Sequence, residues 1–281
     1  MPPEYHLESF WDSRFKVEDH FEWLGDGSNT ILPFLRKFLR DRKAVYRASP
    51  PRLLHIGAGT STLSDQILAV YKEFYKEDTL KDGVMVNIDY SEVAVERGKL
   101  GIQGANDYTR WKRTDLLNWD DVLSLRRMYG SESNEGEEPF SIVVDKSTSD
   151  AISCNDSITF DSSKKSSLNL RVARTFLLCY PNKTLSYGPV DLLALHLAAL
   201  VKTDGIWIVL SYSRHRFDFL ITEEGPKESE GETSVAPWAY WKVEDITGID
   251  APSGLSKVGV FAPAVQHYVF VLRRTQTVFM V

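Results

Sequence analysis

The chain has 281 residues, of which 43% are hydrophobic and 26% charged, with a formal net charge of −6. That composition provides an ordinary globular core in one large or two small domains, and the acidic surplus argues against general nucleic-acid binding. Two cysteines, Cys154 and Cys179, are too few for a disulfide framework or a zinc site and suit a reducing compartment.

Taken in order, residues 4–25 are dense in aromatics, with Tyr5, Phe10, Trp11, Phe15, Phe21 and Trp23 among interleaved charges. Phe10, Trp11 and Phe15 approach helical spacing. This stretch reads either as a helix packed on the domain or as an aromatic cover over a planar ligand. Ser28 or Asn29 is placed to cap a helix over 30–40, whose Ile31, Phe34, Leu35 and Phe38 share a face. Ser49, Pro50 and Pro51 break the chain ahead of a short apolar strand, Leu53, Leu54, His55 and Ile56, and then a glycine turn, Gly57-Ala58-Gly59. His55, inside that strand, reads as a core histidine. The following helix is expected to run on to Lys76, with a turn at 81–83. A second strand ends at Asp89, and Ser91 is placed to cap a helix over 92–98.

A third strand over 111–115 closes on Asp115, and a fourth over 140–145 closes on Asp145. The acidic stretch 131–138 and the serine-rich stretch 153–167 read as surface insertions. The spacing then predicts a buried helix over 189–202, a fifth strand over 206–211 and an acidic loop over 222–237. Two late strands, 240–246 and 267–273, have a connection too short for a crossover helix and read as an antiparallel pair. Five strand–helix alternations followed by a hairpin describe an α/β, doubly wound sheet, mostly parallel with one reversed strand. The domains expected are an N-terminal extension over 1–48 and the α/β domain over 49–281. The first residues show no basic region followed by an apolar run. The longest apolar stretch, 190–210, is interrupted by Asp191, His196, Lys202 and Asp204. Neither a signal peptide nor a membrane span is expected, and the expected location is cytoplasmic.

Three strands closing on Asp89, Asp115 and Asp145 put acids where open α/β sheets bind ligands. Gly57 and Gly59 admit close backbone approach, Asp89 suits a ribose diol, and Asp115 suits an adenine amino group. Asp145 and Lys146 lie where a reactive end would be. A dinucleotide's pyrophosphate calls for a third glycine opening the helix, where this chain has Thr60-Ser61-Thr62. That difference turns the expectation from NAD to S-adenosylmethionine, which carries no phosphates. Asp145 is open to two readings, a catalytic acid holding an amine acceptor or a structural acid near the cofactor's ammonium. Asp150 reads as a cap or backbone acceptor. Arg214-His215-Arg216 reads as a grip on an acidic substrate or as a solvated loop.

Several blocks carry a family resemblance. They are Phe10-Trp11-Asp12-Ser13-Arg14-Phe15, Phe21-Glu22-Trp23-Leu24-Gly25-Asp26, residues 53–64, Ile88-Asp89-Tyr90-Ser91, Thr114-Asp115-Leu116, residues 143–151, residues 200–213 and residues 267–273. In these the chain resembles a class I S-adenosylmethionine-dependent methyltransferase. More narrowly, it resembles the eukaryotic methyltransferase-like group that methylates lysines of translation elongation factor 1-alpha. The resemblance implies a Rossmann-like, seven-stranded sheet with an antiparallel C-terminal hairpin. It also implies that Trp11, Phe15 and Trp23 close over the cofactor. Further contacts are implied from Gly57, from Asp89 with Tyr90, from Asp115 with Leu116 and from Lys146; Gly59 and Asp145 join the expected cofactor contacts from their places in the turn and at the strand end. The chain departs from that group at Ser147, where glycine is usual, and in a longer gap from Gly59 to Asp89. The expected partner is a protein substrate of the elongation-factor type. The alternatives are a small-molecule N- or O-methyltransferase and a non-catalytic binding module on the same fold.

Overall fold

The computed structural model describes residues 3–46, 49–101, 108–130, 138–160, 185–221, 236–251 and 265–279. The expected loops 131–138 and 222–237 lie almost wholly outside these residues, as does Cys179. The described residues form a seven-stranded sheet in the order β3-β2-β1-β4-β7-β9-β8 and a two-stranded sheet, β5-β6. Its strands are β1 (Leu53–Ile56), β2 (Met85–Asp89), β3 (Thr109–Arg113), β4 (Phe140–Lys146), β7 (Val201–Ser211), β8 (Trp241–Asp250) and β9 (Gln266–Arg274). The small antiparallel pair is β5 (Ile158–Phe160) with β6 (Leu185–Tyr187). β9 runs against both β7 and β8, and the other neighbours in the large sheet are parallel. This is the expected doubly wound architecture with one reversed strand.

Alternation along the strands assigns the two faces. Leu53, Met85, Ile142 and Ile206 point to one side, under α2 (Ile31–Asp41) and α3 (Leu63–Phe74). Leu54, Val86, Val143 and Trp207 point to the other, under α5 (Trp119–Tyr129) and α7 (Pro189–Ala198). The central strands are buried on both faces, so they read as continuous apolar runs. Each fully buried Leu, Ile or Val contributes roughly 1.5–3 kcal/mol. α4 (Glu92–Gly101) begins at Ser91, whose Oγ accepts the Ala94 N–H at 3.3 Å, as the sequence predicts.

Several boundaries differ from expectation. The helix predicted over 189–202 ends at Ala198, and β7 already begins at Val201. Residues 197–201 are wholly apolar and suit either period. Pairing decides the matter: Leu200 accepts the Phe140 N–H at 3.0 Å, and Val201 lies beside Phe140. The register then shifts so that Ile206 meets Ile142, with Asp204 at φ 61° in the extra turn. The cap of α2 comes from the Gly27 carbonyl, which accepts N–H groups of Thr30, Ile31 and Leu32, while Ser28 folds onto Asp26. α3 stops at Phe74 rather than Lys76. α5 and the β5-β6 pair have no counterpart in the sequence reading. α5 is nucleated by Asn118, whose side chain accepts the Asp120 N–H at 2.9 Å.

α1 (Glu8–Val17) and the residues after it form a strap fastened to the carboxyl ends of the sheet. Arg113 at the end of β3 makes a two-oxygen contact with Glu8. Ser91 Oγ, just beyond β2, donates to Asp12 at 2.5 Å. Arg97 of α4 donates to the Lys16 and Glu18 carbonyls and pairs with Asp19 at 2.9 Å. No helix among the described residues is long and apolar enough to cross a membrane.

Candidate functional site

The parallel strands β1, β2 and β4 deliver their carboxyl ends to one cleft beneath the strap. It encloses about 1010 Å³, counting its open mouth. Its floor is the glycine turn. Gly57 and Gly59 have φ of 56° and 54°, a conformation glycine reaches without a steric penalty. A Cβ on Gly59 would sit 3.2 Å from Cζ of Phe15, so the turn and the strap touch.

Asp89 anchors the turn to the next strand. Its Oδ2 accepts the Gly59 N–H at 2.9 Å, and its Oδ1 accepts the Ser91 N–H at 2.9 Å. Burial pushes its pKa up to about 6 in spite of these donors. Asp115 accepts the Leu117 N–H at 2.9 Å, and burial raises its pKa as well. The roof is aromatic. Trp11 stacks on Phe15 at 5.6 Å, meets Trp23 edge-to-face at 6.2 Å, and donates its Nε1–H to the Tyr5 carbonyl at 2.7 Å. Trp11, Phe15, Trp23, Gly57, Gly59, Asp89, Tyr90, Asp115, Leu116 and Lys146 all line this one cleft.

Asp145, expected in the cleft, is the exception among these residues. It is wholly buried and absent from the lining. Oδ1 accepts the Thr148 N–H at 2.8 Å, and both carboxylate oxygens lie 3.3 Å from the Ser149 N, at the start of the short α6 (Thr148–Ile152). Burial, with the nearby Asp150 charge, pushes its pKa up to about 7. The geometry makes it a cap holding α6 against the glycine turn. Ser147, next in the chain, has φ 64°. The backbone there takes a conformation that glycine adopts freely, with a serine in it.

The sequence reading missed Glu22, which is not itself in the lining but bonds two residues that are, Ser61 and Lys146. Its Oε1 accepts the Thr62 N–H at 2.8 Å and the Thr62 hydroxyl at 2.9 Å. Its Oε2 accepts the Ser61 hydroxyl at 2.8 Å and pairs with the Lys146 ammonium. Lys146 also donates to the Gly25 carbonyl at 2.8 Å. Burial pulls the Lys146 pKa down, with Glu22 opposing the shift. Burial works against the Glu22 charge, but the Lys146 and Thr62 hydrogen bonds hold its pKa below the usual carboxylate range. Glu22 stands in the quoted Phe21-Glu22-Trp23 block, but nothing in residue spacing pairs it with a lysine on β4.

Arg216 is neither a free grip nor solvated. Its Nε donates to Asp150 at 2.9 Å, and Asp150 also accepts the Ser211 hydroxyl at 2.5 Å and the Tyr212 N–H at 3.2 Å. This buried knot pins the loop after β7 to α6. His55 is a neutral core histidine, its Nδ1 3.0 Å from Ser64 Oγ and its pKa pulled down to about 3 by burial. No cluster of three or more His, Cys, Asp or Glu that would hold a metal occurs among the described residues, and Cys154 carries a free, exposed thiol.

The cleft thus offers Asp89 and Asp115 against one ammonium that Glu22 already neutralises. It suits a neutral or cationic ligand better than a polyphosphate. No family model matches the chain. Methyltransferase srdJ of Neurospora crassa is 27% identical over 273 residues, covering 96% of this chain and 84% of the relative. Among solved structures, an S-adenosylmethionine-dependent methyltransferase from Anabaena variabilis aligns over 98% of this chain and 96% of its own, with 11% identity and a TM-score of 0.48. The N-methyltransferase NodS from Bradyrhizobium japonicum, in complex with S-adenosyl-L-homocysteine, aligns over 98% of this chain and all of its own, with 11% identity and a TM-score of 0.43.

Proposed function

We propose that this chain is an S-adenosylmethionine-dependent methyltransferase. The observation that carries the reading is the single cleft that joins Gly57, Gly59, Asp89 and Asp115 beneath the Trp11, Phe15 and Trp23 roof, with the Lys146 charge spent on Glu22. The likeness to a methyltransferase over 96% of this chain and 84% of the relative supports it. When bound, the cofactor supplies an electrophilic methyl group for in-line displacement, and the protein supplies alignment and electrostatics.

The residues divide that work. The glycine turn gives a ligand access to backbone that a Cβ would block. Asp89, fixed by two backbone N–H groups, receives the ribose hydroxyls. Asp115 receives the adenine amino group beside Leu116. The aromatic strap excludes water above the reacting centre. Asp145 is a positioning residue: its carboxylate orders Thr148 and Ser149 and so sets the wall beside the turn.

The acceptor we favour is a small molecule. The walls beyond the turn are Ser147, Thr148, Ala151, Ile152 and Asn155, which are neutral, and Asp145 lies beneath them. A lysine acceptor has an ordinary pKa of about 10.4 and must lose a proton before attack. The carboxylate expected to hold such an amine is engaged as a cap. The second reading, methylation of a protein lysine on an elongation-factor type of partner, is favoured by the N-terminal Trp11-to-Trp23 block and the 145–151 block.

Incubation with cell extract and cofactor labelled on the methyl group tests the assignment. Label in the small-molecule fraction is expected, and label in one discrete protein band would replace it with the lysine reading. A calorimetric titration in which the protein ignores S-adenosylhomocysteine would sink both and leave a binding module on this fold.

A further inference from the structure

We propose that Glu22 sets the cofactor selectivity of this cleft. It acts as the protein's own anion at the N-terminus of α3, so that a nucleotide bearing phosphates on its 5′ carbon is refused. The inference rests on the methyltransferase reading and adds to it the means by which phosphate-bearing nucleotides are turned away.

In a doubly wound sheet, the turn after the first strand and the opening of the next helix form the place where a pyrophosphate binds. Unpaired N–H groups and the helix dipole converge there. α3 has twelve residues and follows the glycine turn directly, so the dipole is present. Its opening is already occupied. One carboxylate takes the Thr62 N–H, the Thr62 hydroxyl, the Ser61 hydroxyl and the Lys146 ammonium. The Lys146 side chain is only 5% exposed. Its charge is therefore matched inside the protein and is not left for a ligand.

Glu22 is held in that position. The strap that carries it is tied at Glu8 to Arg113, at Asp12 to Ser91, and at residues 16, 18 and 19 to Arg97. A diphosphate arriving at α3 would meet a fixed carboxylate that already holds the Thr62 N–H, two hydroxyls and the Lys146 ammonium, which is like-charge juxtaposition. An amino-acid tail carries an ammonium beside its carboxylate and is neutral as a whole. The same contact tolerates it.

S-adenosylhomocysteine and ADP share adenosine and differ in the tail, so their affinity ratio isolates this contact. Calorimetric titrations of the full chain with both ligands test it, in wild type, Glu22→Gln and Glu22→Ala. Wild type is expected to bind S-adenosylhomocysteine and to refuse ADP. In the variants the ratio of ADP affinity to S-adenosylhomocysteine affinity is expected to rise by about tenfold or more. A ratio measured within one preparation does not depend on the fraction folded. Glu22→Gln removes the charge while keeping an acceptor oxygen, so the strap retains most of its bonds. An unchanged ratio in the variants overturns the proposal, as does a wild type that takes ADP as tightly as S-adenosylhomocysteine. A variant that melts like wild type yet binds neither ligand also overturns it, making Glu22 only an anchor. A wild type that binds neither ligand overturns the cofactor assignment itself, a result distinct from the others.

Discussion

A Cβ built on Gly57 would lie 2.0 Å from Oγ1 of Thr148, and that hydroxyl donates to the Ile56 carbonyl at 2.9 Å. The turn after β1 and the start of α6 after β4 are therefore fitted to each other with no room for a methyl group. Gly57→Ala is expected to lose about 1–3 kcal/mol of stability in urea unfolding, from overpacking and from alanine at positive φ. S-adenosylhomocysteine affinity should fall with it. Adding Thr148→Ala should restore part of the loss, because the 2.0 and 2.9 Å contacts go while the 3.0 Å contact to Cβ and the φ strain stay. Additive effects of the two substitutions would disprove the coupling.

Asp89 is pushed from an ordinary 3.8 to about 6 by burial. The folded state holds that proton more tightly than the unfolded chain does. The stabilisation is therefore full below about pH 3.8 and is lost as pH rises through about 6. Ligand binding has the opposite sign, because hydroxyl donors prefer the ionised carboxylate. S-adenosylhomocysteine affinity should climb through about pH 6 and level off above it. Asp89→Asn should bind more weakly and show no such step. A variant that keeps the step would assign it to another group.

Asp145→Asn separates a cap from a catalyst. The amide keeps an oxygen for the Thr148 N–H and drops a buried charge. Its methyl transfer should stay within about threefold of wild type, well inside the factor of ten that 1.4 kcal/mol represents. Asp145→Ala should lose about 1–2 kcal/mol of stability with the cap. The wild-type carboxyl is raised from 3.8 to about 7, so wild type loses stability between those pH values and Asp145→Asn does not. The variant should gain on wild type as pH approaches 7 and hold a constant margin above it. A folded, cofactor-binding Asp145→Asn with turnover abolished would restore the catalytic reading.

Ser147→Gly should be stabilising. The residue sits at φ 64° and opens α6, and relief of left-handed strain in a serine outweighs the added freedom of glycine by roughly 0.5–1 kcal/mol. A raised thermal midpoint is the expected readout, and a lowered one would mean that the Ser147 side chain does more than fill the position.

Much of the fold and much of the lining of the cleft was legible because both are written in local pattern. The runs at Leu53–Ile56 and Phe140–Lys146, the acids at Asp89 and Asp115, and the paired glycines all declare themselves within a few residues. The end of α7 did not, since Leu200 and Val201 suit either period and only pairing with Phe140 chose the strand. Asp145 was found but misplaced. Its position at a strand end is a matter of sequence, whereas the turning of its carboxylate under α6 is a matter of the Thr148 and Ser149 N–H groups that need an acceptor.

By itself the sequence determined the doubly wound sheet and the elements of the cleft, because hydrophobic period and strand-end acids act over short stretches of chain. The tertiary structure alone decided which charges are free. Glu22 meets Lys146 and Asp150 meets Arg216 across long sequence separations, and such pairings depend on how the strap and loops pack. The first pairing leaves Lys146, the one lysine or arginine lining the cleft among the described residues, matched inside the protein beside Asp89 and Asp115, which is the physical reason the cleft suits a cofactor without phosphates.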